Sequence, residues 1–306
     1  MSSPSRIPVL KILASLVPVA STSVFFFGMD AVRTISVCAI VSFLCEYAAN
    51  IVLKSKRTAF DGTSVLTGIL LALSLPPGIS CLYTILGSMF AILVVKIPFG
   101  EQEQTLFNPV MAARTFLLMA FTAPMATWPE GAWNISAGDI ETTTSATPLT
   151  HMKFDLAALD WSLPEVAEDL FFGYANGSLG ETSALAILAG GTMLFATKAV
   201  SPAIPLSFVS TVALFSLLCG ASPVLEILSG GLLLGAFFLA PCFGATPSTV
   251  RGKIIFGFGC GIITMLIRKI PGSGFPEGVA FAILAMNAAT PLIDILTSRK
   301  TAGGEA

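Results

Sequence analysis

Charged side chains are scarce in this sequence: of 306 residues only 11% are Asp, Glu, Lys or Arg, against about 25% in a soluble domain. Histidine occurs once, as His151, and no two of the six cysteines stand in a CxxC spacing. With a formal net charge of −2, the chain lacks the basic surface that nucleic acid requires and the ligands of a histidine-rich metal centre. Cys38, Cys45, Cys81, Cys219, Cys242 and Cys260 lie in or beside apolar runs. They read as small core residues, because a metal cluster needs thiolates gathered by short spacings or converging helices.

Apolar residues are what the chain has in excess. They make up 54% of it, the mean hydropathy is +0.85, and the uncharged runs 62–95, 199–225 and 227–250 could not remain in water. The sequence therefore predicts an all-α, polytopic membrane protein and narrows function to transport, intramembrane electron transfer or scaffolding. Arg6 and Lys11 precede the first apolar stretch as in a signal peptide, but the residues around Phe25–Gly28 offer no small-residue cleavage site. A retained first helix is the expectation.

About 17–25 apolar residues per crossing, with allowance for short broken helices, predicts ten spans. They centre on 10–28, 31–53, 62–75, 80–95, 106–124, 182–198, 203–219, 226–241, 254–267 and 278–297. Basic residues near span ends stay on the cytoplasmic side. With the N-terminus inside, Arg6, Lys11, Lys54, Lys56, Arg57, Lys96, Lys198, Arg251, Lys253, Arg299 and Lys300 are cytoplasmic, eleven of the sixteen Lys and Arg. Both termini are then cytoplasmic, and the polar stretch 125–181, with nine acidic residues against one lysine, lies outside. A connection this long is usually functional.

Two halves, 1–124 and 182–306, flank that loop. LTGILLALSLPP at 66–77 resembles LSGGLLLGAFFLAP at 228–241, and KIP recurs at 96–98 and 269–271. Five spans separate equivalent points, so the second copy enters from the opposite side, an inverted repeat of the kind that holds binding sites near the bilayer midplane. The third and eighth spans are short, contain Gly68, Gly230, Gly231 and Gly235, and end at Pro76, Pro77 and Pro241. Interrupted helices expose backbone groups that protein or a lined cavity must satisfy, although the same glycines also let helices pack closely.

The loop carries Glu141, Thr142, Thr143, Thr144, Ser145, Ala146, Thr147, Pro148, Leu149 and Thr150. By composition it is a hydroxyl-rich turn, in which Pro148 biases Thr147 toward extended backbone. The pattern acidic-x-x-Ser/Thr-x-Ala-Thr resembles the flavinylation motif of the Rnf and Nqr respiratory complexes, with Glu141 standing where that family usually has aspartate. DGTSVLTGILLALSLPP at 61–77, FNPVMAARTF at 107–116, SATPLT at 145–150 and PEGVAFAILAMNAATPLID at 276–294 are likewise similar to the RnfD/NqrB family of membrane subunits, and the compact length favours its Rnf branch.

The resemblance implies a urea-transporter-like fold of ten helices in two inverted five-helix halves. It implies FMN joined to Thr147 through a phosphoester, with Glu141, Thr144, Ser145 and Ala146 as the recognition sequence for a flavin transferase. It also implies a noncovalent riboflavin or second flavin at the inner face, near the third span and 107–114, where Asn108 and Arg114 are the candidate contacts. The implied partners are Rnf subunits A and E with an iron–sulfur centre, G with another covalent FMN, and the peripheral B and C. The implied role is that of a subunit, inactive alone, of a ferredoxin:NAD oxidoreductase that moves Na+ or H+ across the bacterial cytoplasmic membrane. No catalytic residue and no metal ligand is assigned. The rival reading is a non-redox channel for a small neutral solute on the same architecture.

Ionisable residues in apolar spans are costly and often mark ion paths. Asp61, Glu277 and Asp294 sit at span ends and read as interfacial, while Glu46 and Arg114 are deeper. Arg114 is expected to pair with Glu46 or to face a flavin phosphate. Asn108 and Asn287 offer amide oxygens to sodium, hydrogen bonds to a flavin ring, or caps to broken helices.

Overall fold

The computed structural model describes residues 9–54, 61–99, 105–128, 163–174, 177–243, 245–270 and 278–302, and all regular structure among them is helical. Val9–Val52, Val250–Lys269 and Val279–Ser298 are long and apolar enough to cross a membrane, and shorter apolar helices accompany them. The chain is a multi-pass helical membrane protein.

Helix α1 (Val9–Val52) is broken at Gly28, whose φ of 55° and ψ of −129° leave the helical region. Glycine reaches that conformation without a Cβ penalty, so the chain reverses within one residue. The two arms end together: Val9 Cγ1 lies 3.3 Å from the position of a Cβ on Gly62, and Glu46 joins Lys96, whose ammonium also reaches Thr63. Helix α2 (Thr63–Leu73) follows, its first N–H taken by Asp61 Oδ1 at 2.9 Å. It packs on the second arm of α1, where Gly68 meets the Cys38 carbonyl so closely that a Cβ would lie 2.5 Å from the oxygen. That contact bears out the close-packing reading of this glycine.

Helix α3 (Cys81–Met89) runs into a π-helical turn, Phe90–Lys96. Helices α4 (Pro109–Ala120) and α5 (Thr122–Met125) close the first part of the chain. Helix α6 (Leu163–Phe172) was not expected, since it falls within the stretch assigned to a loop. Its sequence LPEVAEDLFF nonetheless carries apolar residues at helical spacing, and Leu170 is buried while Phe171 packs on the core.

The remaining elements are α7 (Ala184–Ala196), α8 (Ala203–Leu218), α9 (Pro223–Leu228), α10 (Leu232–Leu234) with its π-helical continuation Gly235–Leu239, α11 (Val250–Lys269) and α12 (Val279–Ala302). Gly230 and Gly231, with φ of 66° and 65°, separate α9 from α10. Thr249 Oγ1 bonds Thr297 Oγ1 at one end of the α11–α12 pair, and Gly278 packs on the Thr264 carbonyl at the other. The two helices are therefore antiparallel. Cys38, Cys242 and Cys260 are buried, and all six cysteines are free.

Candidate functional site

Helix α2 stops inside the molecule and leaves carbonyls that a bilayer cannot solvate. Residues 178–180, far along the chain, supply the donors. Gly180 N–H bonds Leu73 O at 2.7 Å and Leu179 N–H bonds Leu75 O at 3.0 Å. Arg114 donates from Nη1 to Ser74 O, and Ser23 Oγ donates to Leu179 O. Gly180 is required there, because a Cβ would lie 2.7 Å from Leu73 Cβ and 2.9 Å from Leu73 O.

The second break, at Gly230 and Gly231, is served the same way. Arg268 Nη1 bonds Glu226 O at 2.6 Å and Nη2 bonds Ser229 O at 3.0 Å. Below the π-helical turn, Asn108 Nδ2 donates to Leu239 O at 2.6 Å. Asn108 Oδ1 accepts from Val110 N–H and Met111 N–H, which caps α4, and its own N–H bonds Asn287 Oδ1 at 3.0 Å. Asn287 Nδ2 and Thr290 Oγ1 both donate to Ala245 O. The two asparagines named from sequence are thus brought together, one from each half, as caps of broken backbone.

Among the described residues, two buried carboxylates hold cations. Lys96 Nζ lies 2.9 and 2.8 Å from Glu46 Oε1 and Oε2 and donates to Thr63 Oγ1 at 2.6 Å. Glu226 receives Arg268 Nη1 at 2.9 Å on Oε2 and Lys269 Nζ at 2.8 Å on Oε1. One expectation is corrected here. The cation on Glu46 is Lys96 rather than Arg114, and Lys96, expected at the cytoplasmic end of its span, is buried against protein, being only 5% exposed. Lys96 is the last residue of the π-helical turn.

Asp61 is exposed and tied to Thr63, and Asp294 Oδ1 holds Ser248 N–H and Oγ at 2.9 Å. Sequence reasoning left Glu226 without a role and counted Glu181 among the acids of the outer loop. Glu181 Oε1 accepts from Ser178 N–H at 2.6 Å, and Oε2 fills the place of a Cβ on Gly231. The signal was available, since each stands immediately before an apolar run. Glu141, Thr144, Ser145, Ala146, Thr147 and Glu277 lie outside the described residues. Among the described residues, no group of three or more His, Cys, Asp or Glu gathers to hold a metal ion.

Comparison with known proteins gives a consistent result. The family model described as "NQR2, RnfD, RnfE family" matches residues 4–303. The D subunit of the Na+-translocating ferredoxin:NAD+ oxidoreductase complex of Acetobacterium woodii is 39% identical over 295 residues, covering 95% of this chain and 89% of that one. The D subunit of the proton-translocating ferredoxin:NAD+ oxidoreductase complex of Clostridium ljungdahlii is 36% identical over 294 residues, covering 92% and 87%. The D subunit of the ion-translocating oxidoreductase complex of Stutzerimonas stutzeri is 36% identical over 323 residues, covering 96% and 90%.

Proposed function

This chain belongs to the NQR2, RnfD, RnfE family, and on that premise we propose that it is the membrane D subunit of an Rnf-type ferredoxin:NAD oxidoreductase. In this reading it carries electrons through FMN on Thr147 and takes part in coupling electron transfer to the movement of Na+ or H+. The observation that carries the reading is the run Glu141 to Thr147, E-T-T-T-S-A-T, within a chain similar to D subunits over nearly its whole length. FMN supplies one- and two-electron redox chemistry through its ring, and the protein supplies position and electrostatics. A covalent tether keeps the carrier at the site between electron arrivals.

An outer flavin lies about 30 Å of hydrocarbon from a cytoplasmic donor, so further carriers are needed. The proposal accordingly includes partners corresponding to Rnf subunits A, B, C, E and G, and a flavin transferase during maturation. A noncovalent riboflavin or second flavin near Asn108 and Arg114 fits the donor set there. Asn108 Nδ2 bears two hydrogens, of which the bond to Leu239 O uses one. The other is suited to a flavin carbonyl. The ion stays open between Na+ and H+, since relatives named for each are similar to this chain to nearly the same degree.

The reading also includes ten crossings in two inverted, urea-transporter-like halves in a bacterial cytoplasmic membrane, with both termini inside and the flavin loop outside. The two KIP lysines support it. Lys96 holds Glu46 at the end where α2 begins, and Lys269 holds Glu226 where α11 ends. Gly180 touches both Leu73 and Leu234, while Asn108 joins Leu239 and Asn287, so the two halves meet at their breaks.

Mass spectrometry of the chain expressed with a flavin transferase tests the assignment. An added FMN mass that disappears in Thr147→Ala is expected, together with flavin fluorescence of the denatured band. An unmodified wild-type chain sinks the carrier role and leaves the channel reading.

A further inference from the structure

We propose that Glu46, Thr63, Ser42 and Ser64 form a binding site for a small monovalent cation, and that the ammonium of Lys96 is a tethered stand-in occupying it. The ammonium is surrounded by oxygen: both Glu46 carboxylate oxygens and Thr63 Oγ1, at 2.6–2.9 Å. Hard cations choose such ligands.

Two further oxygens next to this cluster have no partner. Ser42 Oγ and Ser64 Oγ are fully buried and make no hydrogen bond. Leaving one such hydroxyl unsatisfied is costly, and most buried polar groups in proteins are satisfied, by an ion or water if not by protein. Ser42 is one helical turn before Glu46 on the same face of α1. Helical side chains lean toward the N-terminus, so the Glu46 carboxylate reaches back over it. Ser64 follows Thr63 in the first turn of α2. Because Gly68 rests on the Cys38 carbonyl where these helices cross, Ser64, a turn before Gly68, comes opposite Ser42, a turn after Cys38.

Among the described residues the charges of this cluster leave room for one cation. Glu46 and Asp61 contribute two carboxylates, and Lys96 contributes one ammonium. Thr63 Oγ1 accepts from Lys96 and donates to Asp61 Oδ1 at 2.8 Å. Asp61 therefore stands one hydroxyl away from the ammonium, and it is exposed. A cation arriving on Glu46 displaces Lys96 toward Asp61, and each carboxylate keeps one positive partner. No buried charge is stranded. Lys96 closes a π-helical turn, an element often found at functional sites.

The inference deepens the ion-coupled role proposed above and rests on that reading for its purpose, whereas its test reads cation binding to the chain itself. The full-length protein in lipid nanodiscs is equilibrated with radiolabelled sodium. Saturable binding is expected, weakened about tenfold or more by Glu46→Gln. Lys96→Met is expected to tighten it by about tenfold, because a tethered competitor at high effective concentration has been removed. The pair Ser42→Ala and Ser64→Ala, which leaves the ion pair intact and keeps the test available should Lys96→Met fail to fold, is expected to weaken binding. Absence of saturable binding in the wild type, or an affinity unchanged by the serine pair, overturns the proposal. FMN on Thr147 is measured separately, so a flavinylated chain that ignores sodium sinks this site alone.

Discussion

Asn108 uses one amide for two tasks, since its oxygen caps α4 and its nitrogen holds Leu239 O. An N-cap is worth about 1 kcal/mol, and a buried carbonyl left without its donor costs about 1–3 kcal/mol more. Asn108→Ala is therefore expected to lower the thermal midpoint of the solubilised protein clearly, with Asn108→Ser in between because its hydroxyl retains only the cap. A reversed order in a melting series contradicts these assignments. Glu46 gives a second residue-scale prediction. Glu46→Gln or Lys96→Met alone should destabilise by about 3–5 kcal/mol, and the double substitution should recover much of the loss. Melting of the three variants measures this, and additive losses would falsify the pairing. The importance of Asn108 and Glu46 was legible in the sequence, because polar side chains in apolar spans must find partners. Which partner they find was not legible. Lys96 reaches Glu46 through a π-helical turn, and no residue in FAILVVK announces a change of winding.

At the scale of elements, the breaks were readable and their repair was not. Pro76, Pro77, Gly230 and Gly231 mark where helices stop, since proline cannot continue the hydrogen-bond ladder and glycine enters the left-handed region. The donors come from residues 178–180, Arg114, Arg268 and Asn108, most of them far away in sequence. Local pattern carries no information about such contacts. Helix α6 was missed for the opposite reason: prolines and glycines on either side outweighed a short amphipathic run. Gly180 is the sharpest test at this scale. Gly180→Ala puts a methyl against Leu73 and should separate the segment from α2, so the amides of residues 179 and 180, which donate to Leu75 O and Leu73 O, would exchange hydrogen faster in deuterium oxide. Unchanged protection would show that the contact does not hold α2 in place.

For the molecule as a whole, composition and the distribution of lysine and arginine were enough to read a helical, multi-pass membrane chain. The proposed orientation rests on the basic residues assigned to the inner side. Cys219 checks it, being exposed at the end of α8 that the proposed topology puts outside. In a Cys81→Ser background, a membrane-impermeant maleimide applied to intact spheroplasts is expected to label the chain, and to fail when Cys219→Ser is added. Labelling only after lysis would invert the topology.

The docking of residues 178–180 on α2 also has a consequence for biogenesis. While the ribosome is still making the early helices, the carbonyls of Leu73 and Leu75 have no donors, and they acquire them only when the later segment emerges. The N-terminal portion is therefore an incomplete folding intermediate during synthesis, exposed to membrane proteases. A fragment ending at residue 128 should be short-lived in cells and should persist when the rest of the polypeptide is supplied in trans.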